Sequence, residues 1–490
     1  MLTTTLLTVW LLLPYLAGFV AALLPSLARA LVLFLCLITA VVGCSALMAA
    51  DQAGVALTLL GPTGVTLQVD ALAGWFVLLD AVLIAGVLLA CWDRLADTSM
   101  PLLLLVLQGG LNTAFAATDL VSIYVTLEVV AISAFLLILR ERSERCLWVA
   151  LRYLLVSNTA MTLYLIGAGL VYAQSGSFGL QALAQLPLGA AQAFVLVGLF
   201  TKAGVFVSGL WLPRTHAQAP AEVSALLSGV VVTAGVVPLL RIGQLDPRLL
   251  VCIQVVALAG ALLGVLAAQQ TADVKRLLAW STLSQMGLVL LAPVAAGGMA
   301  FSHGLAKATL FLLAGRLPSR QLQGWQERPL PLDLQLGVTL ASLSIAGVPP
   351  LLGFAAKKGL LAALSAPWAA GVVLVSLGTV MVYARLWGAP VSQNSSAEPL
   401  LNPPLRRSVT GLVLVLLLAG IWQLQSTLSW GALLSTALLL AAGVALQRLL
   451  QRFRAAALQL PALGEQLQDL LGNLALVGSG LLLAFRLGFS

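Results

Sequence analysis

"GLFTKAGVFVSGLWLPRTHAQAP", residues 198–220, places a lysine, Lys202, inside a run that otherwise reads as a membrane span, then adds Pro213 and, beyond it, His216. The oily context extends through the whole chain. Its 490 residues are 61% hydrophobic and 9% charged, whereas soluble domains average about a quarter charged residues, and the mean hydropathy is strongly positive. A hydrocarbon core near 30 Å takes about 20 apolar residues per helix, and such stretches follow one another almost end to end, separated by short polar breaks. The chain therefore reads as an all-α polytopic membrane protein.

Spans are expected near 4–23, 28–49, 71–91, 100–117, 120–139, 147–173, 190–210, 221–240, 248–268, 276–293, 299–316, 331–364 (broken), 368–388, 407–424, 429–447 and 473–486. The first has no basic stretch before it and no small-residue cleavage site, so it reads as a retained helix and not a signal peptide. Between the second and third, "GVALTLLGPTGVTLQVD" (54–70) alternates apolar and polar residues around a Gly-Pro-Thr-Gly turn, which suggests a hairpin on the membrane surface. Near the end, "QRFRAAALQLPALGEQLQDLLGNL" (451–474) is amphipathic and is expected to lie along the interface or against a partner and not across the bilayer.

Lys and Arg accumulate in cytoplasmic loops. With the N-terminus outside, the inside loops carry Arg29, Arg94, Arg140, Arg142, Arg145, Arg214, Lys275, Arg276, Arg316, Arg320, Arg328, Arg406, Arg407, Arg448 and Arg452, and the exceptions outside are Arg241 and Arg248. This scatter over many loops explains the net charge of +8 better than a nucleic-acid partner, which would need basic residues clustered on one face. The five cysteines, Cys36, Cys44, Cys91, Cys146 and Cys252, form no CxxC and have no Cys/His spacing suited to zinc or an iron–sulfur cluster. With no GxGxxG or haem-ligand pattern either, no cofactor and no metal is expected in this chain.

A charge at mid-bilayer costs at least ~2.5–3.5 kcal/mol on insertion scales. The candidates are Asp80, Glu128 in "VTLEVVAIS", Arg152 in "ALRYLLVSN", Lys202, Lys307 in "HGLAKATLF", and Lys357 or Lys358 in "GVPPLLGFAAKKGLL". Snorkelling or purely structural pairing accounts as readily for Asp80, Arg152 and Lys358. Glu128, Lys202 and Lys357 lie deeper in apolar sequence, and two of them share a setting. Lys202 precedes Pro213 in one interrupted segment, and Lys357 follows Pro349, Pro350 and Gly353 in another. Broken helices are tolerated in a membrane where they line a cavity, and paired breaks in two halves point to inverted repeats. Withdrawal from water favours a neutral amine and a nearby carboxylate favours the ammonium, so a lysine beside a movable carboxylate can take up and release a proton.

The runs "KAGVFVSGLWLPRTHAQAPAEVSALLSGVVV", "DVKRLLAWSTLSQMG", "SHGLAKATLFLLAG" and "AGVPPLLGFAAKK" resemble, in order and spacing, the signatures of the antiporter-like membrane subunits shared by respiratory complex I and Mrp-type cation/proton antiporters. The resemblance covers about residues 60–390. Its wording is most similar to the D-type Mrp subunit, including the D-type NADH dehydrogenase proteins of cyanobacteria. It implies fourteen core helices with inverted five-helix repeats and puts the family's proton-translocation residues on Glu128, Lys202, His303, Lys307 and Lys357. Pro213, His216, Ser284, Pro349, Pro350 and Arg152 are expected in support. The chain departs from the family in "SGVVVTAGVVPLLR", where Thr233 stands in place of a lysine, and in "LSQMG", where Gln285 stands in place of a frequent histidine. A threonine can bond a water but cannot store a proton near neutral pH.

The expected organisation is N-terminal helices with the hairpin (1–117), a first repeat forming a proton half-channel (100–241), a second repeat (247–388) and C-terminal helices with an amphipathic tail (400–490). The leading functional expectation is the proton-translocating subunit of a multisubunit Mrp-type Na+/proton antiporter. One alternative is a proton-pumping membrane-arm subunit of a complex I-type NAD(P)H/quinone oxidoreductase; another is a transport-impaired structural subunit, suggested by Thr233. In each case any redox chemistry belongs to partner membrane subunits, the translocated species are protons and a monovalent cation, and the location is a prokaryotic plasma membrane or a thylakoid membrane.

Overall fold

In hydrocarbon every backbone N–H and C=O must find its partner within the segment, which makes each long apolar run a helix. A computed structural model describes residues 4–49, 54–59, 63–94, 99–391, 401–452 and 466–487. The helices are α1 (Thr4–Leu23), α2 (Ala28–Met48), α3 (Ala71–Ala90), α4 (Ser99–Ala116), α5 (Leu120–Leu139), α6 (Glu144–Ser175) and α7 (Leu180–Gln185). The interior follows with α8 (Ala190–Ala203), α9 (Leu212–Gln218), α10 (Ala221–Leu226), α11 (Thr233–Leu245), α12 (Pro247–Gln270), α13 (Val274–Leu290) and α14 (Pro293–Ala314). The last group is α15 (Gly324–Glu327), α16 (Leu332–Ala346), α17 (Leu352–Ala362), α18 (Ala366–Trp387), α19 (Pro403–Thr427), α20 (Trp430–Arg452) and α21 (Leu467–Arg486).

Among the described residues, 12 helices are long and apolar enough to cross a bilayer, or 13 if the bent pair Ala190–Ala203 and Phe206–Gln218 is one span. That is fewer than the sixteen stretches read from the sequence, and the shortfall falls on α13, α14, α16 and α17, which carry or adjoin the buried polar groups. α13 and α14 are walled in by protein, with almost every residue buried, so they need no continuous apolar face toward lipid. The helices that do face lipid, α1, α2, α19, α20 and α21, are mostly exposed and present large side chains such as Phe19, Leu418, Trp422 and Leu438.

The hairpin is present. β1 (Val55–Thr58) pairs antiparallel with β2 (Thr66–Val69), in register from Val55 with Val69 to Thr58 with Thr66; Gly61 and Pro62 of the expected turn lie outside the described residues. Asp119, the N-cap of α5, accepts from the Thr66 amide at 2.7 Å and the Ser122 amide at 2.7 Å, which fastens the hairpin to the start of α5. Asp70 caps α3 and pairs with Arg241 at 2.8 Å. Arg248 pairs with Asp246 at 2.9 Å. Both basic exceptions to the loop-charge pattern are therefore held by carboxylates. Burial acts to raise the Asp246 carboxyl, but the side-chain and backbone hydrogen bonds from Arg248 outweigh it and hold the group below its usual value.

Both expected breaks exist. α8 stops at Gly204 (φ +65°), which takes the left-handed conformation glycine adopts without strain, and the chain resumes through Phe206–Gly209 into α9 at an angle of 44°. Pro213 sits in the first turn of α9, where its missing N–H is no loss. α16 likewise stops at Gly347 (φ +86°), and Pro349–Pro350, joined by a cis bond, separates it from α17. A third irregularity has no counterpart in the sequence reading. Leu227–Val231, between α10 and α11, forms a π-turn, fully buried, with Thr233 just beyond it. At the C-terminus, α21 begins six residues before the expected 473 and packs against α6 and α8; residues 453–465 of the expected interfacial segment lie outside the described residues.

Candidate functional site

Lys202 occupies the last turn of α8, where the carbonyl end of the helix favours a cation. Its Nζ donates to Glu128 Oε1 at 3.2 Å, to the Leu127 carbonyl at 3.2 Å and to Ser157 Oγ. All three acceptors come from α5 and α6, so one ammonium ties three helices together. The pair is mostly withdrawn from solvent, with side-chain exposures of 8% for Lys202 and 21% for Glu128. With its amide nitrogen turned toward the carboxylate, Asn158 donates to Glu128 Oε2 at 3.2 Å. A cavity of about 10 Å³ beside Lys202 is lined by Tyr153, Ser157, Thr201 and Trp211, close to the room one water needs. The Trp211 indole donates to the Thr201 carbonyl at 2.9 Å, an acceptor that also takes the Gly204 amide at 3.1 Å.

The second half of the chain holds its lysines differently. Lys307, completely buried on α14, donates to the Leu278 carbonyl at 2.7 Å and to Tyr383 Oη at 3.0 Å, and Tyr383 is bonded to Ser281 at 2.9 Å. Lys357, buried on α17, folds back to donate to the Ala346 carbonyl at 3.1 Å, the last residue of α16 before the break. Gly347 leaves room for that lysine stem, since an added Cβ would lie 2.8 Å from Lys357 Cδ. Lys358 is half-buried, in keeping with the snorkelling account.

Two histidines and several hydroxyls are buried in the same interior. The ring of His303 sits beside the Ser228 carbonyl without a well-aligned hydrogen bond, and Ser228 Oγ is 2.6 Å from Thr282 Oγ1. Thr233 is fully buried and its hydroxyl donates to the Val230 carbonyl in the π-turn. His216 is sandwiched between Trp211 and Phe311, with ring centroids 6.2 and 5.5 Å away. Ser284 and Gln285 are buried on α13. Arg152 lies apart from these groups; it donates to the Gln466 carbonyl at 3.0 Å and so ties α6 to the start of α21. Sequence reasoning missed Ser157 and Tyr383, which accept from Lys202 and Lys307, Ser281, which bonds Tyr383, and the Ser228–Thr282 pair. Among the described residues, no group of three His, Cys, Asp or Glu side chains could hold a metal ion.

Buried lysines, hydroxyls and imidazoles, with a carboxylate bonded to Lys202 beside a broken helix, are groups that can hand protons along. The fold and this interior define the class: an integral membrane protein of broken helices and buried lysines. Residues 117–382 match the family described as NADH:quinone oxidoreductase/Mrp antiporter, TM. The chain belongs to that family. A protein named NADH-quinone oxidoreductase subunit N from Desulforudis audaxviator is 31% identical over 364 residues, covering 66% of this chain and 72% of that protein. One named NAD(P)H-quinone oxidoreductase subunit 2 from Prochlorococcus marinus is 29% identical over 385 residues, covering 68% and 73%. In fold alone, the chain is similar to one in the Mrp complex from a Dietzia species, with a TM-score of 0.74 at 21% identity, covering 91% of this chain and 98% of that one.

Proposed function

We propose that this chain is a proton-translocating membrane-arm subunit of a complex I-type NAD(P)H/quinone oxidoreductase assembly, moving protons along Glu128, Lys202, His303, Lys307 and Lys357. The observation that carries the proton role is the buried Lys202–Glu128 ion pair at 3.2 Å next to the break in α8: a pair at such a depth is expensive, and a shift of the broken helix would part it and change the lysine's hold on its proton. The names of the sequence relatives, subunit N and subunit 2 of quinone oxidoreductases, support the redox assembly over the Mrp-type antiporter that the wording of the motifs suggested. The fold-level likeness to the Mrp complex keeps the antiporter as the second reading.

In this proposal residues 100–241 and 247–388 are inverted repeats around the two breaks, with 1–117 and 400–490 flanking them. The N-terminus faces outside, in line with the loop charges. Quinone reduction takes place in partner subunits, and this chain contributes proton transfer alone. The two readings separate by what copurifies. An affinity-tagged full chain drawn from its native membrane is expected to bring quinone-oxidoreductase subunits, identified by mass spectrometry. Recovery of a set of small antiporter subunits with no redox subunit would overturn the complex I-type assignment.

A further inference from the structure

A second buried carboxylate lies outside the row from Glu128 to Lys357. Asp80, on α3, is completely buried, and neither of its oxygens has a hydrogen-bond partner among the described residues. It follows Phe76 by one helical turn, and the Phe76 ring packs on Phe115 of α4 with centroids 5.5 Å apart, so this stripe of α3 looks toward α4. Gln108 and Asn112, one turn apart on α4, are also completely buried, and their side-chain oxygens are open too. The amides themselves are engaged. Gln108 Nε2 donates to Cys36 Sγ at 3.6 Å, and Asn112 Nδ2 donates to Thr39 Oγ1 at 3.4 Å, which also receives Trp10 Nε1 at 3.2 Å. Asp80 is near enough to act electrostatically on Cys36. Helices α3 and α4 thus bury four acceptor oxygens that lack a donor, beside the polar contacts that α4 makes with α2.

Neutral Gln and Asn side chains often bond transmembrane helices together, which accounts for Gln108 and Asn112 but not for Asp80. An unpaired carboxylate away from water costs several kcal/mol, and the obvious counter-charges are turned elsewhere. On the helices packed against α3, the titratable and charged groups are Arg29, Cys36 and Cys44 on α2, Glu222 on α10, Arg241 on α11, His303 and Lys307 on α14, and Arg406 and Arg407 on α19; α4 carries none. Arg29 stacks over Trp92 and Arg241 pairs with Asp70. The α14 groups lie across a different face of α3, where Leu79 packs against Gly304.

We propose that Asp80 anchors a binding site for one small positive charge, a proton or a monovalent metal ion, enclosed by α1 to α4 and separate from the row from Glu128 to Lys357. Either ion answers the shortage. A proton on the carboxyl becomes an O–H donor to an open amide oxygen. A metal ion takes the carboxylate and the amide oxygens as hard ligands.

The test follows thermal unfolding of the purified full chain with its associated subunits, wild type beside Asp80→Asn. One arm raises sodium against choline at fixed pH and ionic strength; the other raises pH at fixed salt. Binding of sodium at the site raises the wild-type midpoint by mass action and leaves Asp80→Asn unmoved. Binding of a proton instead lowers the wild-type midpoint relative to Asp80→Asn as pH rises, because the unfolded chain then holds fewer protons than the folded one. Parallel behaviour of the two proteins in both arms overturns the proposal. Should Asp80→Asn fail to accumulate, Gln108→Leu keeps the carboxylate and removes one ligand oxygen: a displaced sodium or pH midpoint supports the site, and an unchanged one overturns it.

Discussion

At the first break the lysine has a carboxylate 3.2 Å away; at the second, Lys357 has the carbonyl of Ala346 at 3.1 Å, and Lys307, between them in sequence, has a carbonyl and a tyrosine hydroxyl. The scaffolds are alike, each a helix ended by a left-handed glycine with proline beyond it. The electrostatics are not. In the first half, charge on the lysine is balanced locally, and separating the pair is what changes its proton affinity. In the second half, these hydrogen-bond partners are neutral acceptors, so the charge there changes by gain or loss of the proton itself. Under the proposed proton role, the first half would act as a switch and the second as a relay lined by neutral hydrogen-bond acceptors.

If that contrast is right, the largest effect comes from the first half. Lys202→Ala strands the Glu128 carboxylate, and removing one partner of a buried pair costs about 3 kcal/mol or more. Proton translocation in everted vesicles is expected to fall to background and the thermal midpoint of the complex to drop, whereas Glu128→Gln loses translocation with a smaller drop, since the amide still bonds. Normal translocation in either variant breaks the comparison at its root.

Lys357→Met sharpens it from the other side. With no carboxylate left behind, a flexible apolar side chain of similar length is expected to cost under about 1.5 kcal/mol, while translocation is lost. A destabilisation as large as that of Lys202→Ala, measured by unfolding of the purified complex, would reveal a counter-charge at Lys357.

Much of this arrangement is legible in the sequence, for a physical reason. Charged residues in apolar runs are rare, so Glu128, Lys202, Lys307 and Lys357 stand out, and Pro213, Pro349, Pro350 and Gly353 mark the breaks because few residues do what they do to a backbone; Gly204 and Gly347, which end α8 and α16, are not singled out in the sequence reading. The hydroxyls do not stand out. A Ser or Thr in a helix can spend its hydrogen on its own preceding turn, as Thr201 does on Val197 and Thr309 on Leu305, so nothing marks Ser157 or Ser281 as different until the helices are packed. The π-turn at 227–231 is hidden too, since it contains no proline and arises where α10, α14 and α3 crowd together.

Thr233 tests the join between the halves. It is fully buried, with its hydroxyl on the Val230 carbonyl, and the next turn is tight, since an added Cβ at Gly235 would lie 2.8 Å from Lys202 Cβ. Thr233→Lys is expected to slow proton flux in vesicles, because the added ammonium has to be desolvated near existing lysines. Flux that rises instead would mean that the gap between Lys202 and His303 lacks a titratable group and not merely a water.

The smallest effect belongs to a pair that plays no part in the row and so serves as its control. Asp246 caps α12 and pairs with Arg248, whose side chain is 46% exposed, so solvent screens the pair and its worth is below about 1 kcal/mol. The carboxyl is held below its usual value, so its contribution is present at neutral pH and fades as acid protonates the folded state. Asp246→Asn should therefore lower the thermal midpoint slightly at neutral pH, with the difference from wild type shrinking toward low pH. Translocation should stay as in the wild type. A loss of translocation in Asp246→Asn would extend the working charges beyond the two halves, to the loop that joins them.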